Sequence, residues 1–148
     1  MKYEDFLVKS LGKGNVVSPL KQSQREDSPV YKFVEDNDRI VYDNSLEYYN
    51  QCRESGETPV CFEKAGPKET IFFEPAKTKV GIVTCGGICP GLNNVIRGIV
   101  NQLYYRYGIS RVLGFKYGYE GFISDYNHEV IELTPEMVSD IHIAGGTI

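Results

Sequence analysis

The sequence predicts an α/β fold in which helices cover a parallel sheet, preceded by an irregular N-terminal arm. The apolar, β-branched run at 80–84 has no polar face, which is typical of a buried parallel strand. Apolar residues then recur at spacings of three and four between 92 and 107, which indicates an amphipathic helix. A second apolar run at 111–115 follows that helix. Because strand and helix alternate, the two strands are expected to lie side by side and parallel.

The N-terminal half reads differently. Residues 12–29 are polar, are interrupted by Gly and Pro, and show neither helical nor strand periodicity, so they predict an irregular arm or linker. Two short apolar and aromatic runs at 30–42 are split by an acidic turn and favour a hairpin or two short strands. We assign 1–76 to an N-terminal arm and 77–148 to the beginning of the α/β domain.

Short signals mark the other elements. In the arm, Ser45 is expected to cap a helix that ends at Gly56, and 56–70 is expected to form a loop. In the second half, Gly108 is expected to end the first helix, and the stretch after it at 117–122 is a loop rich in Gly and Tyr.

The last third of the chain predicts one more strand and one more helix. The alternating run at 129–133 indicates a short strand. Thr134 and Pro135 are expected to begin a helix that ends before Gly145 and Gly146. Only two strands then form a complete core, and these are too few to shield a doubly wound sheet. We therefore expect the chain to be the N-terminal portion of a longer domain.

Composition and charge are those of an ordinary soluble protein. Hydrophobic residues make up 41% and charged residues 24% of the 148 residues, and the net charge is -4. This balance gives no general attraction to nucleic acid or to anionic membranes. An apolar run long enough for a membrane span is absent from the sequence, and the N-terminus is not typical of a secretory signal.

The cysteines and histidines give no strong signal for a metal site or a nucleophile. Cys52, Cys61, Cys85 and Cys89 form no Cys-x-x-Cys pair, so reduced thiols and a cytoplasmic location are expected. Cys85 and Cys89 flank a glycine-rich turn, but the turn offers no paired ligand motif. Small apolar packing residues are the favoured interpretation of both.

The glycine-rich turn is the main functional signal. Gly86, Gly87 and Gly91 lie between the strand at 80–84 and the helix that begins near 92. A helix N-terminus carries unpaired N–H groups and a partial positive charge, and glycines let an anion approach the backbone closely. The spacing differs from Gly-x-Gly-x-x-Gly and lacks the Gly-Lys-Ser/Thr end of a P-loop. An anion site is the favoured interpretation, and a turn whose glycines serve only packing is the alternative.

A resemblance to a known family sharpens this interpretation. The segment KVGIVTCGGICPGLNNVIRG at 79–98 closely resembles the N-terminal signature of the phosphofructokinases, in particular the ATP-dependent group of plants and trypanosomatids. Four further segments resemble the same enzymes in the same order, namely FVEDNDRIVYD, AGPKETIFFEP, GFKYGYEGF and LTPEMVSDIHIAGGTI. The resemblance implies an incomplete Rossmann-like three-layer sandwich, which is the phosphofructokinase fold, and makes the part at 77–148 its nucleotide-binding domain.

The resemblance also implies site residues. Gly87 aligns with the glycine that contacts the phosphates of the phosphoryl donor, Gly86 with the one that shapes the turn, and Tyr119 with a tyrosine that lies against the nucleotide. An ordinary packing role for Tyr119 is an equal alternative. Arg97 aligns with an arginine that binds an effector in bacterial relatives, although a solvated arginine on the helix surface is favoured here.

The implied reaction is ATP-dependent phosphorylation of fructose 6-phosphate to fructose 1,6-bisphosphate in glycolysis. Such transfer depends on positioning, a carboxylate base and Mg²⁺. In the family, the base, the Mg²⁺ ligand and the sugar-phosphate arginines come from elements that follow the segments matched here. We therefore expect no catalytic residue and no metal ligand on this chain, and we predict that the isolated chain is inactive.

Two alternatives stay open. The donor could be pyrophosphate instead of ATP, because the residue that usually discriminates between them is not in this sequence. The chain could also be a truncated, non-catalytic protein that binds other subunits. For the full-length enzyme, the resemblance implies a cytoplasmic homo-oligomer without nucleic-acid or membrane partners.

Overall fold

The computed structural model describes residues 8–20, 33–87 and 89–147, and the chain divides into two compact units, Met1–Phe72 and Phe73–Ile148. The predicted mixture of helices and strands is confirmed. The strands are β1 (Val16–Val17), β2 (Arg39–Val41), β3 (Cys61–Glu63), β4 (Thr70–Ile71), β5 (Val80–Val83), β6 (Val112–Phe115) and β7 (Val130–Glu132), and the helices are α1 (Leu46–Ser55) and α2 (Leu92–Asn101).

The first unit contains two small antiparallel ladders. Strand β2 lies in the second of the two runs that were expected to form a hairpin or two short strands, whereas the pairing partners in both ladders differ from the sequence prediction. Strand β1 pairs with β4, and β2 pairs with β3 so that Ile40 lies opposite Phe62. No hairpin forms within 33–42, the described part of the segment predicted to form one; residues 30–32 lie outside the described ranges. Instead β2 finds its partner in the segment predicted to be a loop, because cross-strand contacts such as the one between the Tyr42 and Phe62 rings, 5.8 Å apart, stabilise a distant pairing.

Helix α1 begins and ends as the sequence predicts. The Ser45 hydroxyl accepts a hydrogen bond from the Tyr48 N–H at 3.3 Å, which satisfies one of the donors left free at a helix N-terminus. Gly56 then adopts a left-handed conformation with φ 71° and donates its N–H to the Cys52 carbonyl. The two end signals alone therefore locate this helix correctly.

An exposed ion pair connects two loops of the first unit. The Lys68 ammonium donates to the Asp36 carboxylate with an Nζ–Oδ1 distance of 2.6 Å. This hydrogen bond, together with the charge of Lys68, lowers the pKa of Asp36 below its ordinary value. Because the pKa is depressed in the folded state, the contribution of this pair to stability is present above the unfolded-state pKa and is lost as the pH falls through the folded-state pKa.

We expect the Lys68→Met variant to raise the pKa of Asp36 toward its ordinary value, since the hydrogen bond and the charge disappear together. An NMR titration of the Asp36 carboxyl carbon between pH 2 and 6 measures this change. Lys64→Met is the matched control, because Lys64 pairs with Asp38 at 3.6 Å. An Asp36 titration that is the same in the Lys68→Met variant and the unsubstituted chain contradicts the assignment.

The second unit is built on a three-stranded sheet with the order β5-β6-β7. Strands β5 and β6 are parallel, as predicted, with Val80 opposite Val112. Strand β7 forms at the predicted place but runs antiparallel to β6, so the sheet is mixed. The connection from β6 to β7 contains short 3₁₀ turns and no crossover helix, and a connection of that kind returns the chain in the opposite direction.

Helix α2 packs on this sheet through one face. Its buried residues are Asn93, Ile96 and Val100, whereas Val95 and Ile99, which the sequence pattern placed in the same stripe, are exposed. A π-helical turn, Gln102–Tyr107, extends the helix to Gly108, the predicted end. The core of the unit consists of Ile96, Val100, Val112, Leu133, Val138 and Ile141.

The helix predicted between Thr134 and residue 144 is wrong. After a single turn, in which the Thr134 hydroxyl accepts from the Met137 N–H, the chain forms only a short 3₁₀ segment, Ile141–Ile143. The carbonyls of Ser139 and Ile141 accept hydrogen bonds from side chains of α2, and Ile141 also accepts from the Ala144 N–H of the 3₁₀ segment. Isolated turns that are fastened to α2 thus take the place of a continuous helix. Among the described helices, none is long and apolar enough to cross a membrane.

Candidate functional site

The turn between β5 and α2 has the predicted strand, glycine turn and helix order. Gly86 has φ 112° and Gly91, the N-cap of α2, has φ 88°, and both values lie in the region that favours glycine. Gly87 is outside that region, and a Cβ built on it has no neighbouring atom within 4 Å. The fold as described therefore does not require glycine at 87, although it requires glycine at 86.

The turn borders an open cleft of about 740 Å³, a size in the range of small-molecule sites. Because β5 and β6 are parallel, their carboxyl ends meet at one edge of the sheet, and the residues that follow each strand form the walls. The described residues that line the cleft are Thr84, Cys85, Gly86, Phe115, Lys116, Tyr117, Gly118, Tyr119 and Thr147.

The structure thus brings Gly86 and Tyr119 to one cleft, while Gly87 lies next to Gly86 in the same turn. Tyr119 is 73% exposed, so its ring is not a packing aromatic of the core. Its loop is held close to the glycine turn, because a Cβ on Gly118 would lie 3.1 Å from the Cys85 sulfur. The two sequence segments singled out for the site are therefore neighbours across the cleft.

Lys116 gives the described cleft wall its cationic side chain, and the sequence analysis did not single it out. Its ammonium lies 3.8 Å from the Glu129 carboxylate, a loose and exposed pair, and no carboxylate lines the cleft among the described residues. The signal that could have found it is positional, since Lys116 follows directly after a parallel strand. A phosphate-bearing ligand would meet backbone, hydroxyl and ammonium donors in this cleft.

Asn93 is a second residue that the sequence analysis missed. Its side chain is only 4% exposed, and Nδ2 donates to the carbonyls of Ile141 and Ala144 at 2.9 and 3.4 Å. The signal was an asparagine three residues before Ile96 on the apolar face of α2. This bond fastens the segment that leads to Thr147, a residue of the cleft wall.

The surroundings of three other residues that the sequence analysis considered differ from those expected. Arg97 is half-buried, and its Nε donates to the Ser139 carbonyl at 3.2 Å in an exposed hydrogen bond, so the side chain combines a structural contact with partial exposure to solvent. Cys85 and Cys89 are free and exposed, which contradicts the prediction that both are packing residues. Within the described ranges, no group of three or more His, Cys, Asp or Glu residues could hold a metal ion.

Comparison with known proteins agrees with this architecture. Residues 79–148 match the family model described as phosphofructokinase. The chain is 41% identical over 147 residues, 98% of its length, to the ATP-dependent 6-phosphofructokinase of Amycolatopsis methanolica, of which it covers 31%. It is 57% identical over 96 residues, 65% of its length, to the enzyme of the same description from Entamoeba histolytica, of which it covers 21%.

A plant relative also matches. The chain is 40% identical over 130 residues, 88% of its length, to ATP-dependent 6-phosphofructokinase 7 of Arabidopsis thaliana, of which it covers 26%. The chain thus spans less than a third of the length of these relatives. The family model, the relatives and the strand–turn–helix site all agree, and the chain belongs to the phosphofructokinase family.

Proposed function

We propose that this chain forms the donor-phosphate part of an ATP-dependent 6-phosphofructokinase, which transfers the terminal phosphoryl group of ATP to fructose 6-phosphate in glycolysis. The observation that carries the proposal is the cleft at the carboxyl ends of β5 and β6, where the glycine turn, Lys116 and the tyrosine-rich loop converge. The descriptions of the relatives support ATP over pyrophosphate as the donor.

In this proposal Gly87 and Gly86 receive the donor phosphates through the backbone and Tyr119 lies against the nucleotide. An open left-handed turn at Gly86 and the absence of any neighbour near a Cβ on Gly87 leave room for phosphate oxygens. Lys116 adds a positive charge on the opposite wall. Phosphoryl transfer is mainly positioning and charge neutralisation, and these groups supply both for the donor alone.

The same cleft does not fit a protein-held Mg²⁺, which the family resemblance implies as the cofactor. Mg²⁺ requires oxygen ligands in octahedral geometry, usually including one or two carboxylates, and the described lining has none. A carboxylate to accept the hydroxyl proton of the sugar is equally absent from that lining. We therefore propose that the 148-residue chain alone does not catalyse the transfer.

The remaining features of the proposal concern the whole enzyme. The sheet β5-β6-β7 and helix α2 belong to a Rossmann-like three-layer sandwich, with 77–148 in the nucleotide-binding domain and 1–76 as an N-terminal arm. The enzyme acts in the cytoplasm as a homo-oligomer that binds ATP and fructose 6-phosphate. The parallel β5–β6 pair supports the assignment of the sheet to a Rossmann-like sandwich.

The test compares two proteins in a coupled assay for fructose 1,6-bisphosphate. The first is the 148-residue chain, and the second is the product of the complete reading frame that encodes it. We expect no product from the first and ATP-dependent product from the second. Product from the 148-residue chain overturns its proposed inactivity, and activity of the longer protein with pyrophosphate but not with ATP overturns the donor assignment.

A further inference from the structure

The two tyrosines that line the cleft are supported differently. The Tyr117 ring lies 4.3 Å from the ring of His128, measured between centroids, at an interplanar angle of 37°. Tyr126 stacks on the same His128 at 5.8 Å and 12°. The Tyr119 ring, by contrast, lies 6.5 Å from the Phe122 ring, a longer separation than that between Tyr117 and His128. Tyr117 is thus the better-supported ring of the two.

A carboxylate fixes the histidine behind Tyr117. His128 Nε2 lies 2.7 Å from Glu120 Oε1, and because an ionised carboxylate only accepts, Nε2 carries the hydrogen. The order is therefore Glu120, His128, Tyr117 and then the cleft. Tyr117 is nevertheless 68% exposed, so this support leaves much of its ring open to solvent.

The backbone of Tyr117 adopts a conformation that tyrosine rarely takes. Its φ of 62° and ψ of 31° place it in the left-handed region, which is unfavourable for a non-glycine residue. Next to it lies Gly118, with φ 60°, where a Cβ would come within 3.1 Å of the Cys85 sulfur beside the glycine turn. A strained residue held by its surroundings at the wall of a cleft points to a role in binding.

The charge of the adjacent residue suits the same ligand. Lys116 precedes Tyr117 and lines the same cleft. A nucleoside triphosphate offers a polyphosphate for the ammonium and a flat base for the ring, whereas inorganic pyrophosphate offers only the first. Stacking of a base on an aromatic side chain contributes enough affinity to discriminate between such ligands.

We propose that Tyr117 is a donor-specificity residue, which stacks on the base of a nucleoside triphosphate, and that His128 and Glu120 are its positioning residues. The inference rests on the proposed function, which assigns the phosphoryl donor to this cleft. It extends that function by placing the selection of ATP over pyrophosphate partly within this chain. Tyr119 then contributes less to base binding than Tyr117 does.

The test uses the enzyme encoded by the complete reading frame and the variants Tyr117→Asn and Tyr117→Phe. Asparagine tolerates the left-handed region and lacks the ring, so its loss of binding does not come from a strained loop. We expect Tyr117→Asn to raise KM for ATP about tenfold or more with little change in kcat. Tyr117→Phe keeps the ring and is expected to stay within about twofold of the unsubstituted enzyme.

Inorganic tripolyphosphate separates base stacking from phosphate binding. As a competitive inhibitor without a base, it is expected to keep its inhibition constant in Tyr117→Asn. His128→Asn is expected to raise KM for ATP by a smaller factor and to leave tripolyphosphate inhibition unchanged. Tyr119→Asn, in the same wall, is expected to affect KM for ATP less than Tyr117→Asn does.

The outcomes distinguish the two proposals. An unchanged KM for ATP in Tyr117→Asn, or an equal loss of ATP and tripolyphosphate binding, overturns the role of Tyr117 while the proposed function stands. An unsubstituted enzyme that uses pyrophosphate in preference to ATP also overturns it. An enzyme that transfers phosphate from neither donor overturns the proposed function, and the inference fails with it.

Discussion

Replacing Gly87 with valine is expected to weaken donor binding by on the order of 100-fold and to change the free energy of unfolding by less than about 0.5 kcal/mol. A Cβ at 87 meets no neighbouring atom within 4 Å, and the residue does not have a left-handed φ. The described fold therefore has room for a Cβ at 87, whereas donor phosphates in contact with the backbone do not leave that room. The dissociation constant for ATP measures the first effect and a urea denaturation curve measures the second, both on the enzyme encoded by the complete reading frame.

Gly86 supplies the contrasting variant. Replacing Gly86 with alanine is expected to lower the free energy of unfolding by about 1 kcal/mol or more, because alanine is strained at the φ of 112° that glycine adopts here. Comparison of Gly87→Val with Gly86→Ala thus separates a glycine needed for a ligand from one needed for a turn. If Gly87→Val binds ATP as tightly as the unsubstituted enzyme, the glycine pair serves only the turn.

Replacing Asn93 with alanine is expected to destabilise the second unit by about 2 kcal/mol. Two hydrogen bonds from the Asn93 amide are lost, each contributing about 1 kcal/mol; the carbonyl of buried Ile141 then keeps only the Ala144 N–H as a donor. Hydrogen exchange of the β6 amides measures the effect on this unit.

The adjacent Asn94→Ala variant is the matched control for this experiment. Asn94 is an exposed asparagine on the same helix, and its replacement is expected to change stability by less than about 0.5 kcal/mol. Equal β6 exchange rates in the two variants would show that the Asn93 bonds do not stabilise the unit.

Local patterns predicted the elements that depend on local physics. The β5 strand, the glycine turn and the extent of the first helix to Gly108 follow from apolar period and glycine placement, and all are observed. Helix α1 follows from its two end signals. In these places interactions between residues close in sequence decide the backbone conformation, so the local sequence is sufficient to predict it.

Elements decided by distant partners were not predictable in the same way. Strand β3 exists because it pairs with β2, some twenty residues earlier, and no residue within β3 identifies that partner. Where a helix was expected after Thr134, the side chains of α2 bind the carbonyls of Ser139 and Ile141. Each case needs knowledge of which element lies alongside, which periodicity does not contain.

The residues of the candidate site also divide into those that local sequence identifies and those that depend on distant partners. The glycine pair and Tyr119 were accessible from motif and resemblance. Lys116 and Thr147 join the cleft only because β6 lies parallel to β5 and because Asn93 holds the segment before Thr147. Tyr117 required its ring contact with His128, which no sequence spacing predicts.

The bonds from α2 to the segment at 139–144 have a consequence for how this protein tolerates sequence change. The hydrogen bonds from the Asn93 amide and the Arg97 guanidinium to this segment end on main-chain oxygens, and every residue type carries such an oxygen. Substitution of exposed side chains in the segment, such as those of His142 and Ile143, is therefore expected to leave these bonds and the position of Thr147 unchanged. The constraint on sequence falls instead on Asn93 and Arg97 of α2. The shape of this cleft wall therefore depends on the helix residues that hold it and not on the side chains of the wall segment.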